Sequence, residues 1–250
     1  MDPISFARLW PETLASVRRH GDMLWSLAAA FLFLPQLLFA RQIDERTPQE
    51  MFRGEYLGGD IASFVLLIVC SILSQLVMAR LIAHDGTEGE KLGRYLAGAI
   101  GLFPAALAAF LMQGIATGFG LLLFIIPGLW LFSRLAVVMP LVATGVSDPL
   151  EALKTSWALT RGRAFRVFTM VFTLIFGFML LSLGLMGIGS AIGVISTLAV
   201  GAGSGEGWNF GRWAFELLNA GASAVFGTLM IAFLTTLMLA LKQQPASSAD

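Results

Sequence analysis

A single arginine, Arg134, lies near the centre of an apolar stretch that runs from Gly118 to Thr144. A charged side chain inside a membrane span is costly and often marks a functional site. Two roles are open for Arg134. Its guanidinium could snorkel to the inner face or pair with a kinked backbone carbonyl, or it could line a cavity and contact a lipid phosphate. No Asp, Glu or His lies in the middle of the apolar stretches to neutralise it.

A cluster of basic residues follows this stretch and surrounds a tryptophan. An aromatic anchor beside several cations is typical of a surface that binds anionic lipid headgroups. The other interpretation is that the cluster only enforces membrane topology. Six residues are therefore candidate contacts for lipid headgroups: Arg134, Lys154, Trp157, Arg161, Arg163 and Arg166.

Prolines and glycines in the apolar stretches predict kinks and close helix contacts. Pro127, Gly128 and Pro140 flank Arg134, and a proline inside a helix removes a backbone hydrogen bond. Gly189 and Gly193 have the GxxxG spacing of close helix packing, within one chain or between two copies. Kinked helices also occur in transporters, so a packing role and a carrier role are both open.

Residues suited to catalysis, metal binding or cofactor binding are sparse. The chain has one cysteine, Cys70, and two histidines, and none belongs to a Ser–His–acid or metal-ligand pattern. The glycine-rich segment at 201–213 lacks the Lys-Ser/Thr pair of a phosphate-binding P-loop. We therefore predict no enzymatic activity, no cofactor and no metal site. Nucleic-acid binding is not expected either, because the basic residues adjoin the apolar stretches.

The composition indicates the elements that must position these residues. Of 250 residues, 57% are hydrophobic and 13% are charged, about half the charge of a soluble domain. Apolar stretches long enough to cross a bilayer predict an all-α, polytopic transmembrane helical bundle in a single membrane domain. The predicted spans are six in number and lie near 23–40, 61–83, 95–117, 121–143, 165–187 and 214–241.

Glycines are expected to form one turn between spans and to kink or break one long apolar stretch. Gly114, Gly118 and Gly120 are expected to supply the turn between the third and fourth spans. The stretch 165–200 is too long for one crossing, and its four glycines between 184 and 193 are expected to kink or break it. A separate crossing by residues 188–201 would make seven spans.

Two amphipathic segments are predicted to lie along the inner membrane surface. The first is a helix at 3–20, which Pro11 is expected to interrupt or divide. The second is the segment 148–163, in which Asp148 is expected to cap a helix that begins with Pro149.

Positive charge predicts the orientation of the chain. Eleven of the 16 Lys and Arg residues lie in segments on the side of the N-terminus, four lie on the other side, and Arg134 lies in the membrane. Because positive charge marks the cytoplasmic side, both termini are predicted to be cytoplasmic.

The region around Arg134 and the basic cluster resembles a known family. Its pattern is similar to the signature of the YciC-like bacterial inner-membrane proteins and of the membrane domain fused to some glycerophosphodiester phosphodiesterases. The six-span layout and the N-terminal amphipathic segment resemble that family too, over most of the chain. The resemblance implies a bacterial inner-membrane protein linked to envelope or lipid homeostasis, without the catalytic barrel of the phosphodiesterases. The matching residues are Ile126-Pro127-Gly128, Pro140, Ala152-Leu153, Ser156-Trp157, Leu159-Thr160 and Gly162.

These observations favour a non-enzymatic membrane protein that binds or organises lipids, or that scaffolds membrane partners. The expected ligands are lipids with anionic headgroups on the cytoplasmic side, and a membrane-protein partner or a second copy of the chain is possible. The alternative is a carrier of the flippase type that uses the kinked fourth span and Arg134.

Overall fold

The computed structural model describes residues 4–44, 58–84, 92–200 and 206–243, and these residues are helical, with turns between the helices. Six helical stretches are long and apolar enough to cross a membrane, as predicted: Gly21–Phe39, Ile61–Ala83, Leu92–Leu123, Ile126–Ala143, Ala164–Ile195 and Trp213–Gln243. The all-α fold class is therefore confirmed, and the chain is a multi-pass membrane protein. Most of the loop predicted at 41–60, and residue 3 of the first amphipathic segment, lie outside the described residues.

The helices of the described residues follow one another in chain order. A short π-helix at Ala29–Phe33 lies between the second and third α-helices. It ends two residues before Pro35, whose backbone nitrogen has no hydrogen to donate. The α-helices are α1 (Phe6–Arg19), α2 (Gly21–Ala28), α3 (Leu34–Asp44), α4 (Gly58–Ala83), α5 (Leu92–Leu123), α6 (Ile125–Arg134), α7 (Val138–Ala143), α8 (Pro149–Leu159), α9 (Ala164–Val200) and α10 (Glu206–Gln243).

Backbone contacts divide the chain into two compact units. The first comprises Met1–Leu27, Ser71–Leu174 and Thr228–Asp250, and the second comprises Ala28–Cys70 and Ile175–Gly227. The first unit contains Arg134 and the basic cluster. In the second, Gln36 donates a hydrogen bond from Nε2 to the Ser223 hydroxyl at 3.2 Å. Polar contacts of this kind join helices where water is absent.

Helix α1 is amphipathic, as the pattern at 3–20 predicts. It buries Leu9, Thr13 and Val17, which share one face at a spacing of four residues, inside the first unit. The prediction that Pro11 interrupts the helix is wrong, because α1 continues through it.

The turn between the third and fourth spans is not where the glycines predicted it. Helix α5 continues through Gly114, Gly118 and Gly120, and the chain turns instead at Phe124, whose backbone is extended. A Cβ built on Gly120 would lie 2.7 Å from the Cα of Gly128, so the two helices touch through their backbones. Gly120 and Gly128 therefore permit close packing of α5 and α6, whereas a Cβ on Gly114 or Gly118 would meet nothing within 4 Å, and none of the three glycines of α5 forms the turn.

The fourth span consists of two short helices. Helix α6 ends at Arg134, residues 135–137 form a turn, and α7 begins at Val138. Pro127 and Pro140 are each the third residue of their helix, where a missing backbone N–H breaks no helical hydrogen bond. The fourth span is thus broken just before Pro140, as the kink expected there predicts, whereas Pro127 lies in the first turn of α6 and kinks no helix.

The fifth span is one helix. The glycines between 184 and 193 do not break α9, which has 37 residues and a length of about 55 Å. The separate crossing considered for residues 188–201 does not form, because α9 continues to Val200. Only 6% of the apolar core of this span is buried, against 67% for the fourth span.

Candidate functional site

The most enclosed element of the first unit is the second half of the fourth span. Every residue of α7 is buried, and the preceding turn residues 135–137 are buried as well. A Schellman motif ends the helix: Gly145, at φ +109°, donates its N–H to the Val142 carbonyl, and Val146 donates to the Leu141 carbonyl. Helix α7 packs against α5 and α8, and α8 packs against α5 as well.

The break between α6 and α7 leaves the backbone carbonyl of Arg134 outside the helical hydrogen-bond pattern. The N–H of Val138, which would bond to that carbonyl in a continuous helix, donates to the Leu135 carbonyl at 3.1 Å. Helix α8 supplies the missing donor. The Ser156 hydroxyl donates to the Arg134 carbonyl oxygen at 2.9 Å, and the Thr160 hydroxyl lies 3.4 Å from the same atom. A buried carbonyl is thus satisfied by another element, as burial requires.

The side chain of Arg134 turns towards the same helix. It is 7% exposed, and its Nη1 donates to the Thr160 hydroxyl at 3.2 Å. The guanidinium carbon lies 4.1 Å from the ring centroid of Trp157 and 5.4 Å from that of Trp130, within cation–π range of both rings. The two indoles meet edge to face at 88°, with their centroids 5.6 Å apart.

The charge of Arg134 is only partly compensated by the partners that the structure describes for it. They are one hydroxyl and two indole faces, and the buried Nε has no hydrogen-bond partner. Arg161 adds a further positive charge beside the site, because it directly follows Thr160, to which Arg134 donates. Cation–π contacts contribute about 0.5–2 kcal/mol each, whereas burial of a charge costs several kcal/mol. The site therefore has an excess of positive charge.

Helix α8 presents two different faces. Its buried face consists of Ala152, Ser156 and, at its C-cap, Thr160, all of them small enough to let α8 approach α7 closely. Two of its large apolar residues face outward: Leu150 is 51% exposed and Trp157 is 39% exposed. The predicted cap is confirmed, since the Asp148 side chain accepts a hydrogen bond from the Leu150 N–H at 3.0 Å.

The structure places the basic cluster on and after α8. Lys154, Arg161 and Arg166 are exposed, and Arg163 is half-buried. Trp157 joins the two parts of the site, because it covers Arg134 and belongs to the exposed face of α8.

The sequence interpretation gave no role to Ser156 and Thr160, although both are in the buried centre of the site. They entered only as part of the family resemblance. Their spacing of four residues on one face of a predicted helix is the signal that could have identified them.

A second arginine, Arg80, was predicted only as a cytoplasmic charge, but it contacts the end of α7. Its Nη1 donates to the Ala143 carbonyl at 3.5 Å, and its guanidinium lies so close to Gly98 that a Cβ there would approach within 2.8 Å. Lys242 donates to the Thr144 hydroxyl at the same helix end, at 3.4 Å. Cations at a helix C-terminus stabilise its dipole.

The remaining candidate residues lie in packed positions. Gly128 faces the α5 backbone in the α5–α6 contact. In the second unit, a Cβ on Gly189 would lie 2.5 Å from the Cβ of Phe215, and Gly193 is buried one turn further along α9. Among the residues described, no three His, Cys, Asp or Glu side chains are grouped to hold a metal ion.

No protein family profile, curated protein or solved structure matches this chain. The resemblance to the YciC-like proteins therefore stays a prediction.

Proposed function

We propose that this chain is a non-enzymatic protein of the bacterial inner membrane that acts in envelope or lipid homeostasis. It binds and organises anionic lipids at the cytoplasmic surface, or scaffolds membrane partners there, as the resemblance to YciC-like proteins implies. The surface that carries this role comprises α8 and the basic residues that follow it. In this proposal both termini lie on the cytoplasmic side of the membrane, as this surface does.

The outward face of α8 is the observation that supports this proposal. Large apolar side chains, Leu150 and Trp157, are exposed there, while the small residues of the helix face the protein. Exposed cations lie beside them at Lys154, Arg161 and Arg166. A helix that exposes apolar side chains and cations together is suited to the boundary between headgroups and acyl chains.

Native mass spectrometry of the purified protein in a neutral detergent tests this proposal. The wild type is expected to retain phosphatidylglycerol in preference to phosphatidylcholine. Combined substitution of Lys154, Arg161, Arg163 and Arg166 by Gln is expected to abolish that preference, because each cation near the surface contributes about 1 kcal/mol. The matched control replaces by Gln the four cations predicted to lie on the outer side, Arg41, Arg46, Arg53 and Arg212, and should keep most of the preference. An unchanged preference in the fourfold variant would refute the proposal.

The alternative is a lipid or small-molecule carrier. The observation that favours it is the division of the fourth span at a buried arginine, because broken helices form the substrate sites of many transporters. Reaction of Arg134→Cys, in a Cys70→Ala background, with a membrane-impermeant thiol reagent would indicate a water-filled path and support the carrier. If only an exposed control, Lys154→Cys, reacts, the carrier is excluded and lipid organisation is supported.

A further inference from the structure

We infer that Arg134, Trp157 and Thr160 form a discrete site for one phosphate group, of the kind found in a phospholipid headgroup. The inference rests on the proposed lipid-binding function and narrows it from a basic surface to a single ligand site. Three observations at the end of α8 support it. Arg134 has a hydrogen-bond donor without a partner, its positive charge is only partly compensated, and half-exposed tryptophan rings cover it.

The unsatisfied donor is the Nε of Arg134. The side chain is more than nine-tenths buried, its Nη1 is engaged by Thr160, and its Nε has no hydrogen-bond partner among the described residues. Buried donors are almost always paired, so an acceptor is expected at this position. Nε lies on the edge of the guanidinium that forms two parallel hydrogen bonds with phosphate or carboxylate oxygens.

The local charge favours an anionic acceptor. Arg161 directly follows Thr160 in the chain, and the partners that the structure describes for Arg134 are neutral. The neighbouring Ser156 hydroxyl is already used, because it donates to the Arg134 carbonyl. The partners that the structure describes for Arg134 are neutral, so an anionic ligand would balance its charge.

The two tryptophans that cover the Arg134 guanidinium indicate that the ligand is a lipid. Trp130 and Trp157 are 38% and 39% exposed, so they separate the guanidinium from the surroundings without sealing it in the protein core. Rotation of the Trp157 indole would open the Nε edge to a phosphate. Leu150, on the same exposed face of α8, would then contact the acyl chains. Inorganic phosphate has the same oxygen chemistry but lacks these chains.

The test uses fluorine NMR of the full chain labelled with 5-fluorotryptophan, in neutral detergent micelles. The chain has six tryptophans, and Trp130→Phe and Trp157→Phe assign the two resonances of the site. Short-chain phosphatidylglycerol is expected to shift both resonances saturably, whereas diacylglycerol, which lacks the phosphate, should not. If inorganic phosphate also shifts the two resonances, the result would support a phosphate site and identify the free ion as its ligand. Unchanged resonances with both phosphate compounds would overturn the inference.

Two substitutions test the role of the guanidinium. Arg134→Gln removes the charge, and Arg134→Lys keeps the charge but removes the Nε edge. Both are expected to weaken the saturable shift by about tenfold or more, because both lose the paired hydrogen bonds. Equal binding by Arg134→Gln would overturn the inference. The wild-type titration remains decisive if either variant does not fold.

The two proposals fail in distinguishable ways. If the fourfold variant of the basic cluster loses its lipid preference but the wild-type resonances of Trp130 and Trp157 do not move, lipid binding stands and the discrete site is refuted. If the resonances move with inorganic phosphate in an Arg134-dependent manner but no lipid preference exists, the phosphate site stands and the lipid function is refuted.

Discussion

At the scale of single residues, Arg134 joins the fourth span to α8 through both its backbone and its side chain. Its carbonyl accepts a hydrogen bond from Ser156, and its guanidinium donates to Thr160 and stacks on Trp157. The serine matters because it satisfies a carbonyl that the helix break has left without a donor. Removal of Ser156 would leave that buried carbonyl with only the longer contact to the Thr160 hydroxyl, at 3.4 Å.

Ser156→Ala is therefore expected to lower the free energy of unfolding by about 1–3 kcal/mol, measured in mixed micelles. The matched control is Ser74→Ala. Ser74 is equally buried in the first unit, but it donates to the Ser71 carbonyl within its own helix. Its loss leaves no carbonyl outside the helical pattern, so the expected cost is below about 1 kcal/mol. Equal costs for the two variants would contradict the role assigned to Ser156.

At the scale of elements, the close contact of α5 and α6 holds the site in place. Gly120 and Gly128 let the two helices approach at backbone distance directly beside the Phe124 turn. Trp130 and Arg134 lie on α6 beyond this contact, so its geometry determines where they meet α8. The two short helices of the fourth span depend on their neighbours, because a six-residue helix such as α7 is not stable by itself.

Gly128→Ala is expected to destabilise the protein by about 1–3 kcal/mol, because the added methyl group would overlap the backbone of Leu121. Gly118→Ala is the control, since nothing lies within 4 Å of a Cβ at that helical position. The control should be neutral or slightly stabilising, because alanine favours a helix over glycine by about 0.5–1 kcal/mol. Thermal unfolding in detergent compares the two, and a neutral Gly128→Ala would contradict the close contact.

At the scale of the whole molecule, the continuity of α9 determines the number of crossings. The helix is longer than the hydrocarbon thickness of about 30 Å, which a single span accommodates by tilting or by extending beyond the membrane. One continuous α9 gives six crossings, whereas a separate crossing by residues 188–201 would give seven.

Six crossings predict that the N- and C-termini lie on the same side of the membrane. Reporter fusions at the two termini, one active only in the cytoplasm and one only outside it, should give matching results. The positive-charge distribution further predicts that this side is the cytoplasm. Termini on opposite sides would mean that α9 is interrupted in the membrane.

The all-α class and the six spans could be predicted from the sequence because they depend on local properties. A stretch of apolar residues of sufficient length becomes a membrane helix whatever its neighbours are, since lipid requires every backbone hydrogen bond to be made within the segment. The Asp148 cap and the amphipathic character of α1 are equally local, and both were predicted. The turn at Phe124 was not, because in the folded chain Gly120 serves the contact with α6, and Gly114 and Gly118 lie within the continuous helix α5.

The membrane class of the protein, its spans and the single arginine among apolar residues follow from the amino-acid sequence alone. The division of the fourth span at this arginine, and the approach of Ser156, Thr160 and two indoles to it, depend on contacts between distant elements. A break inside a span is tolerated only when another element supplies the missing hydrogen bonds. That element, α8, lies more than twenty residues away along the chain, and local sequence patterns carry no information about such a partner.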